Sequence, residues 1–257
     1  MIGIVGGIGP YSGIDLLRKV FDNTLACSDQ EHLDAVLISA SSKIQDRTEY
    51  IMGRITKNPA YAIAEVIHKL HIAGAVVAGI PCNTAHSPKI FSVIESELKK
   101  SKYGIVVLNM IEETVSYLHA NHSGVTKVGV LSTTGTYKSK IYNEALQSKG
   151  YEAIVPSLEM QEDLIHPAIY HPDYGIKSKS NPIHPQARRN LMEGFSFCKQ
   201  QGAQAVILGC TEIPLAISED EIDGMIIIDP TAVLARALIQ FVDSNKLKPN
   251  KHGVLEK

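Results

Sequence analysis

GIPCNTAH at residues 79–86 and LGCTEIP at residues 208–214 decide the architecture of this chain. Each follows a run of small and β-branched apolar residues, 75–78 and 203–208, and each ends in one cysteine followed by Asn-Thr or Thr-Glu. A short, uninterrupted apolar run bounded by turn signals reads as a buried strand. A strand that stops at Cys and turns into a helix puts the thiol at the carboxyl edge of a sheet. There the free N–H groups and partial positive charge of the helix start favour a thiolate. Two such thiols, Cys82 and Cys210, one in each half of the chain, point to chemistry that needs matched groups on opposite sides of one atom.

The same strand-to-helix alternation runs through the rest of the sequence. Residues 2–5 read as a strand, Gly6-Gly7-Ile8-Gly9-Pro10 as a tight loop, and Ile14, Leu17, Phe21 and Leu25 recur at helical spacing. A strand over 35–40 leads to a polar loop with Asp46, Arg47 and Thr48. Asn58-Pro59 starts a helix whose apolar face is Ile63, Ile67 and Leu70. Beyond residue 103 the pattern restarts: strands over 105–108, 128–131, 152–155, 203–208 and 225–228, and helices carrying Ile111, Val115 and Leu118, then Ile141 and Leu146, then 186–201 and 231–242. Alternation of this kind means a parallel α/β architecture, and eight strands in two sets of four predict two small sheets.

An internal repeat supports two halves. Gly9 of GIVGGIGPYSG and Gly135 of GVLSTTGTYKS are 126 residues apart, and Cys82 and Cys210 are 128 apart. Shared offsets near half the chain length indicate a duplicated unit. We therefore expect two pseudo-symmetric α/β domains, each a four-stranded mainly parallel sheet flanked by helices. The first is residues 1–101 completed by 214–257, and the second is 102–213. Both cysteine loops then face one interdomain cleft, where ligand sites of open α/β sheets sit. The stretch 159–189, rich in Pro and aromatics without periodicity, reads as a long loop and a candidate lid.

Composition excludes several classes. With 257 residues, 44% hydrophobic, 20% charged and a formal charge of −2, the chain reads as a globular protein and not a nucleic-acid-coating one. No apolar run approaches the ~20 residues of a membrane span, and no charged segment precedes the first strand, so a cytoplasmic location is expected. Four cysteines without CxxC spacing argue against a disulfide framework or a zinc finger. Residues 246–257 read as a frayed tail.

Among the remaining candidates, Cys27 and Cys198 read as helical core residues without an arranged partner. The Gly6–Gly9 loop departs from a dinucleotide fingerprint, since Ser12 stands where the third glycine belongs and the second strand ends without an acid. It reads instead as an anion-binding loop for a carboxylate, with Gly9 at the ligand. His166, His171 and His184 fit no helix-face ligand spacing, so no metal is expected. His86 and Glu212 stand beside the cysteines and either orient a thiol or complete a helix cap.

Seven motifs spread over nearly the whole chain, GIVGGIGP, DRT (46–48), PCNTAH, TTGT (133–136), GIKS (175–178), GCTEIP and DPT (229–231), together resemble the aspartate/glutamate racemase superfamily. The resemblance is to its aspartate branch, because Thr211-Glu212 stands where glutamate racemases carry Thr-His, and Gly7-Ile8-Gly9-Pro10 where they carry an Asp-Ser-Gly loop. It implies cofactor-independent racemisation of an acidic amino acid, aspartate or else glutamate, by Cys82 and Cys210 as thiolate and thiol on opposite faces of the α-carbon. It further implies that Asn83, Thr84, Thr133 and Thr211 hold the α-carboxylate and amino group, that Arg47 and Lys177 take the side-chain carboxylate, and that the protein is a homodimer. The alternatives are a cysteine-dependent isomerase of another small dicarboxylate and a catalytically silent dicarboxylate-binding protein.

Overall fold

A computed structural model of the protein describes residues 1–101 and 103–250. The first strand, β1 (Ile2–Gly6), is buried at every position. It leads through a glycine loop into α1 (Pro10–Asn23), then β2 (Ala35–Ser39), α2 (Arg47–Ile51), α3 (Ala60–Ile72), β3 (Val77–Gly79), α4 (Pro88–Ser101) and β4 (Val106–Val107). These four strands form one parallel sheet in the order β2-β1-β3-β4, with Ile4 opposite Leu37 on one side and Gly79 on the other. A central strand in such a sheet is covered on both faces, which is why β1 and β3 are continuously apolar.

The chain continues through α5 (Met110–Asn121), β5 (Lys127–Ser132), α6 (Thr134–Ser139), α7 (Ile141–Ser148) and β6 (Glu152–Ile154). Then come α8 (Leu158–Met160), a π-helical turn (Gln161–Ile165), α9 (His166–Tyr170), α10 (Pro185–Gln200), β7 (Ala205–Gly209) and α11 (Ile213–Ala216). A hairpin, β8 (Glu221–Ile222) and β9 (Met225–Ile228), precedes α12 (Pro230–Val242). The second sheet runs β6-β5-β7-β9-β8. The strand order β2-β1-β3-β4 thus recurs as β6-β5-β7-β9, so the repeat read in the sequence is a repeat of topology. The four-strand expectation for this half is corrected by β8, a two-residue strand whose antiparallel pairing with β9 is too short to leave a periodic signal.

Sheet membership also differs from the expected boundaries. Strand β4 pairs in the first sheet and β8 and β9 in the second, whereas α12 packs back on α1 and α5. Each sheet is covered by apolar layers on both faces. Val5, Ile63, Ile67 and Ile90 fill one side of the first, and Ile4, Leu16, Val20, Leu234 and Leu238 the other. Fully burying such a side chain contributes about 1.5–3 kcal/mol.

Helix α1 turns a different face inward than its apolar spacing predicts. Ile14 and Phe21 are exposed, and so is Leu25 just beyond the helix, while Ser12, Gly13, Leu16, Lys19 and Val20 are buried. Small residues win that face because a β-carbon added at Gly13 would already touch the Gly6 Cα at 3.2 Å. On the same side the Lys19 ammonium lies 2.5 Å from both Asp15 and Asp229, tying α1 to the start of α12.

The stretch 159–189 is not a structureless loop. Its first part is helical, and Ile165, Ala168, Ile169 and Ile176 are fully buried in the second unit's core. Residues 246–250 do not fray either: Leu247 bridges Thr24, and the Lys248 N–H donates to the Asn23 carbonyl at 2.9 Å. The remainder of the expected tail lies outside the described residues. No helix among those residues is long and apolar enough to cross a membrane.

Candidate active site

In each sheet the strand order reverses direction between two neighbouring central strands, β1 and β3 in the first and β5 and β7 in the second. The loops leaving such strands open a crevice at their carboxyl ends. From β3 comes Cys82, from β7 Cys210, from β1 the glycine loop and from β5 Thr133. The two crevices face each other, so that Cys82, Cys210, Arg47, Asn83, Thr84, Thr133, Lys177 and Thr211 all line one cavity. It measures about 10 Å³, room for a single water. Gly9 is not among its walls; it lines an adjoining vestibule of about 280 Å³, which shares Ile8, Arg47, Lys177 and Glu212 with the cysteine cavity.

Cross-unit hydrogen bonds lock this arrangement. Thr84 Oγ1 lies 3.1 Å from Thr133 Oγ1 and 2.8 Å from Thr136 Oγ1. The Thr211 hydroxyl donates to the Pro81 carbonyl at 3.1 Å. Tyr142 donates to Asn83 Oδ1 at 2.6 Å, and Tyr170 to Asp46 at 3.0 Å. Gly135 sits where a side chain would collide with Thr48 and Thr84, so its lack of one lets α6 approach the first unit.

Arg47 is not in an open loop but opens α2, whose N-terminus Asp46 caps by accepting from the Glu49 N–H at 2.9 Å. The guanidinium is buried and donates to the Ile8 carbonyl and, at 3.1 Å, to that of Gln45. Burial opposes its charge, but Cys82, Tyr170 and Asp46 beside it outweigh that and hold it protonated. Arg47 Nε and Asn83 Nδ2 are buried donors with no hydrogen-bond partner among the described residues. Such groups are costly unless something accepts from them, and both residues line the cavity.

The cysteine environments differ. Cys210 donates to Glu212 Oε2 at 3.0 Å, and Glu212 Oε1 lies 2.5 Å from Lys177 Nζ. Burial, and then the neighbouring carboxylate, push the Cys210 thiol well above its ordinary range, with Lys177 pulling the other way. The expected helix N-terminus is a single turn, α11, too short to reverse this. Burial works to raise the Glu212 carboxyl, yet Lys177 and the bonds from Cys210 and Lys177 hold it below the usual range. Lys177 also lies 5.3 Å over the Tyr170 ring.

His86 serves the loop and not the thiol. Its Nδ1 is 2.9 Å from the Cys82 carbonyl, an acceptor, so that nitrogen carries the proton. The ring stacks on Phe91, and burial lowers its pKa to about 4, keeping it neutral. His166 and His171 stack on Tyr170 and Tyr174, and His184 caps α10. Cys27 lies exposed beyond α1 instead of on a helix, and Cys198 is buried in α10. The glycine loop packs against the turn that follows the second strand: at Gly7, with φ +83°, a β-carbon would strike the Ala40 and Ser41 backbone.

The two-sheet α/β fold agrees with the comparisons. The Asp/Glu/Hydantoin racemase profile matches residues 5–238, and the chain belongs to that family. It is therefore an isomerase of the amino-acid racemase class. Among its relatives, the broad specificity amino-acid racemase RacX of Bacillus subtilis is 28% identical over 245 residues, covering 93% of this chain and 96% of that one. The solved structure of Picrophilus torridus aspartate racemase superposes with a TM-score of 0.77 at 29% identity, covering 97% and 96% of the two chains. Glutamate racemase from Francisella tularensis, in complex with D-glutamate, shares the fold, with a TM-score of 0.64 at 20% identity over 98% of this chain and 84% of that one.

Proposed function

We propose that the protein interconverts L- and D-aspartate, with glutamate as the alternative acidic substrate, by a two-base reaction of Cys82 and Cys210 that calls for no cofactor. The observation that carries this reading is the meeting of two thiols from topologically equivalent loops in one cavity that also holds unpartnered buried donors. One thiolate removes the α-proton, and the opposite thiol returns a proton to the other face. A positioned base supplies about 10²–10⁴-fold. The developing enediolate needs electrostatic help as well, which Asn83 Nδ2 and the loop N–H groups offer in a buried site. Arg47 suits a carboxylate because its planar fork bonds two oxygens at once.

The test is proton NMR of L-aspartate and L-glutamate in D₂O with reduced protein and no added cofactor. Loss of the α-proton signal together with appearance of the D-enantiomer on a chiral column is the expected result. Absence of exchange with both acids, in protein whose thiols titrate as free, transfers the assignment to a dicarboxylate isomerase or a silent binding protein.

A further inference from the structure

The Lys177–Glu212 ion pair stands where the two-thiol reaction makes no use of it. Both residues border the cysteine cavity on one side and the vestibule on the other. Glu212 divides its carboxylate between two partners, Lys177 Nζ at 2.5 Å and Cys210 Sγ at 3.0 Å. Gly9 makes room for this, since a β-carbon there would overlap Glu212 Oε1. A carboxylate neutralised at contact by an ammonium is a weakened proton acceptor. The acceptor beside the Cys210 thiol and a cation facing the vestibule therefore occupy each other.

We propose that this ion pair is a gate operated by the substrate's distal carboxylate, which takes Lys177 from Glu212, joins the vestibule to the cysteine cavity and frees Glu212 to accept the Cys210 proton. The proposal rests on the racemase reading. The protons balance. The thiol proton moves from Cys210 Sγ to Glu212 Oε2, and the resulting thiolate takes the substrate α-proton. The Cys82 thiol gives its proton to the opposite face. The cycle ends with Cys210 as thiol, Glu212 protonated and Cys82 as thiolate, and one proton passing from Glu212 to Cys82 through solvent restores the start. An amino acid without a distal carboxylate leaves the gate shut, so discrimination falls on kcat more than on KM.

The experiment measures α-proton exchange of aspartate and of alanine in D₂O, with the natural protein, Lys177→Met and Glu212→Gln. In the natural protein, acetate supplies the missing carboxylate in a second piece and raises kcat for alanine at least tenfold. In Lys177→Met, alanine kcat rises at least tenfold without acetate and acetate adds nothing, while KM for aspartate increases. In Glu212→Gln, kcat for aspartate falls about 10²-fold or more while its KM drops, because Lys177 is left free for substrate. Alanine exchange that ignores acetate and is unchanged in Lys177→Met reduces Lys177 to a binding cation and overturns the gate alone. Absence of aspartate exchange in the natural protein overturns the racemase reading and the gate together.

Discussion

Tyr142 and Asn83 meet across the two units through a 2.6 Å hydrogen bond in which the phenol donates to the amide oxygen. Burial raises the Tyr142 pKa well beyond the ordinary phenol range, so the hydroxyl stays protonated and keeps a proton to donate to Asn83. The bond fixes the amide: with Oδ1 engaged, Nδ2 is the end left as an unpartnered buried donor. We expect Tyr142→Phe to lose about 1–3 kcal/mol of stability by orphaning Asn83 Oδ1. KM for aspartate should rise in parallel because the amide can then turn. Denaturant melts paired with steady-state kinetics check both; an unchanged KM removes Asn83 from the binding role.

The two thiols carry a second prediction. Cys82→Ser and Cys210→Ser should each lower racemisation at least a thousandfold while moving Tm by no more than a few degrees, since Ser nearly preserves volume. Full activity in either variant ends the two-base mechanism.

Arg47→Ala should raise KM for aspartate more than for an amino acid lacking the distal carboxylate. It should also cost stability, because the guanidinium holds the Ile8 and Gln45 carbonyls. Equal effects on both substrates leave Arg47 as a loop brace only.

Gly9→Ala should abolish activity by displacing Glu212, whereas Gly104→Ala, which meets nothing within 4 Å, should be silent. Parallel assays of the two variants decide whether the glycine loop matters for space or for general flexibility.

His86 predicts a pH dependence of stability. Its folded pKa of about 4 lies below the ordinary 6.5, so between those values the unfolded chain binds a proton that the folded one refuses. Stability from this group is full above pH 6.5 and is lost as pH falls toward 4, by about 3 kcal/mol in all at ~1.36 kcal/mol per unit. Melts of the natural protein and His86→Gln over that range should show the flatter slope in the variant.

Much of this site was legible because its signals are local. Strand, cysteine and turn lie within a dozen residues at Cys82 and at Cys210, and the DRT and GIKS motifs flagged Arg47 and Lys177. Tyr142 and Tyr170 escaped notice because each sits in a helix with no motif around it and gains its role only when the second unit meets the first. Glu212 was visible as a neighbour of Cys210, but its bond to Lys177 spans 35 positions of chain. The buried face of α1 was misread for a related reason: Ser12, Gly13 and Lys19 are chosen by close backbone approach and by Asp229, neither of which leaves an apolar period.

The recurrence of one strand order in both sheets has a consequence for the energetics of turnover. Mirror-image substrates have equal free energies, so kcat/KM must be identical in the two directions whatever the protein does. The halves nevertheless dress their thiols differently, Arg47 at Cys82 and Glu212 at Cys210. That inequality can surface only as compensating changes, one enantiomer held more tightly and released more slowly, the other held loosely and turned over faster. The lopsidedness of an otherwise two-fold molecule is thus confined to matched differences in how tightly each hand of the substrate is held and how fast it is turned over.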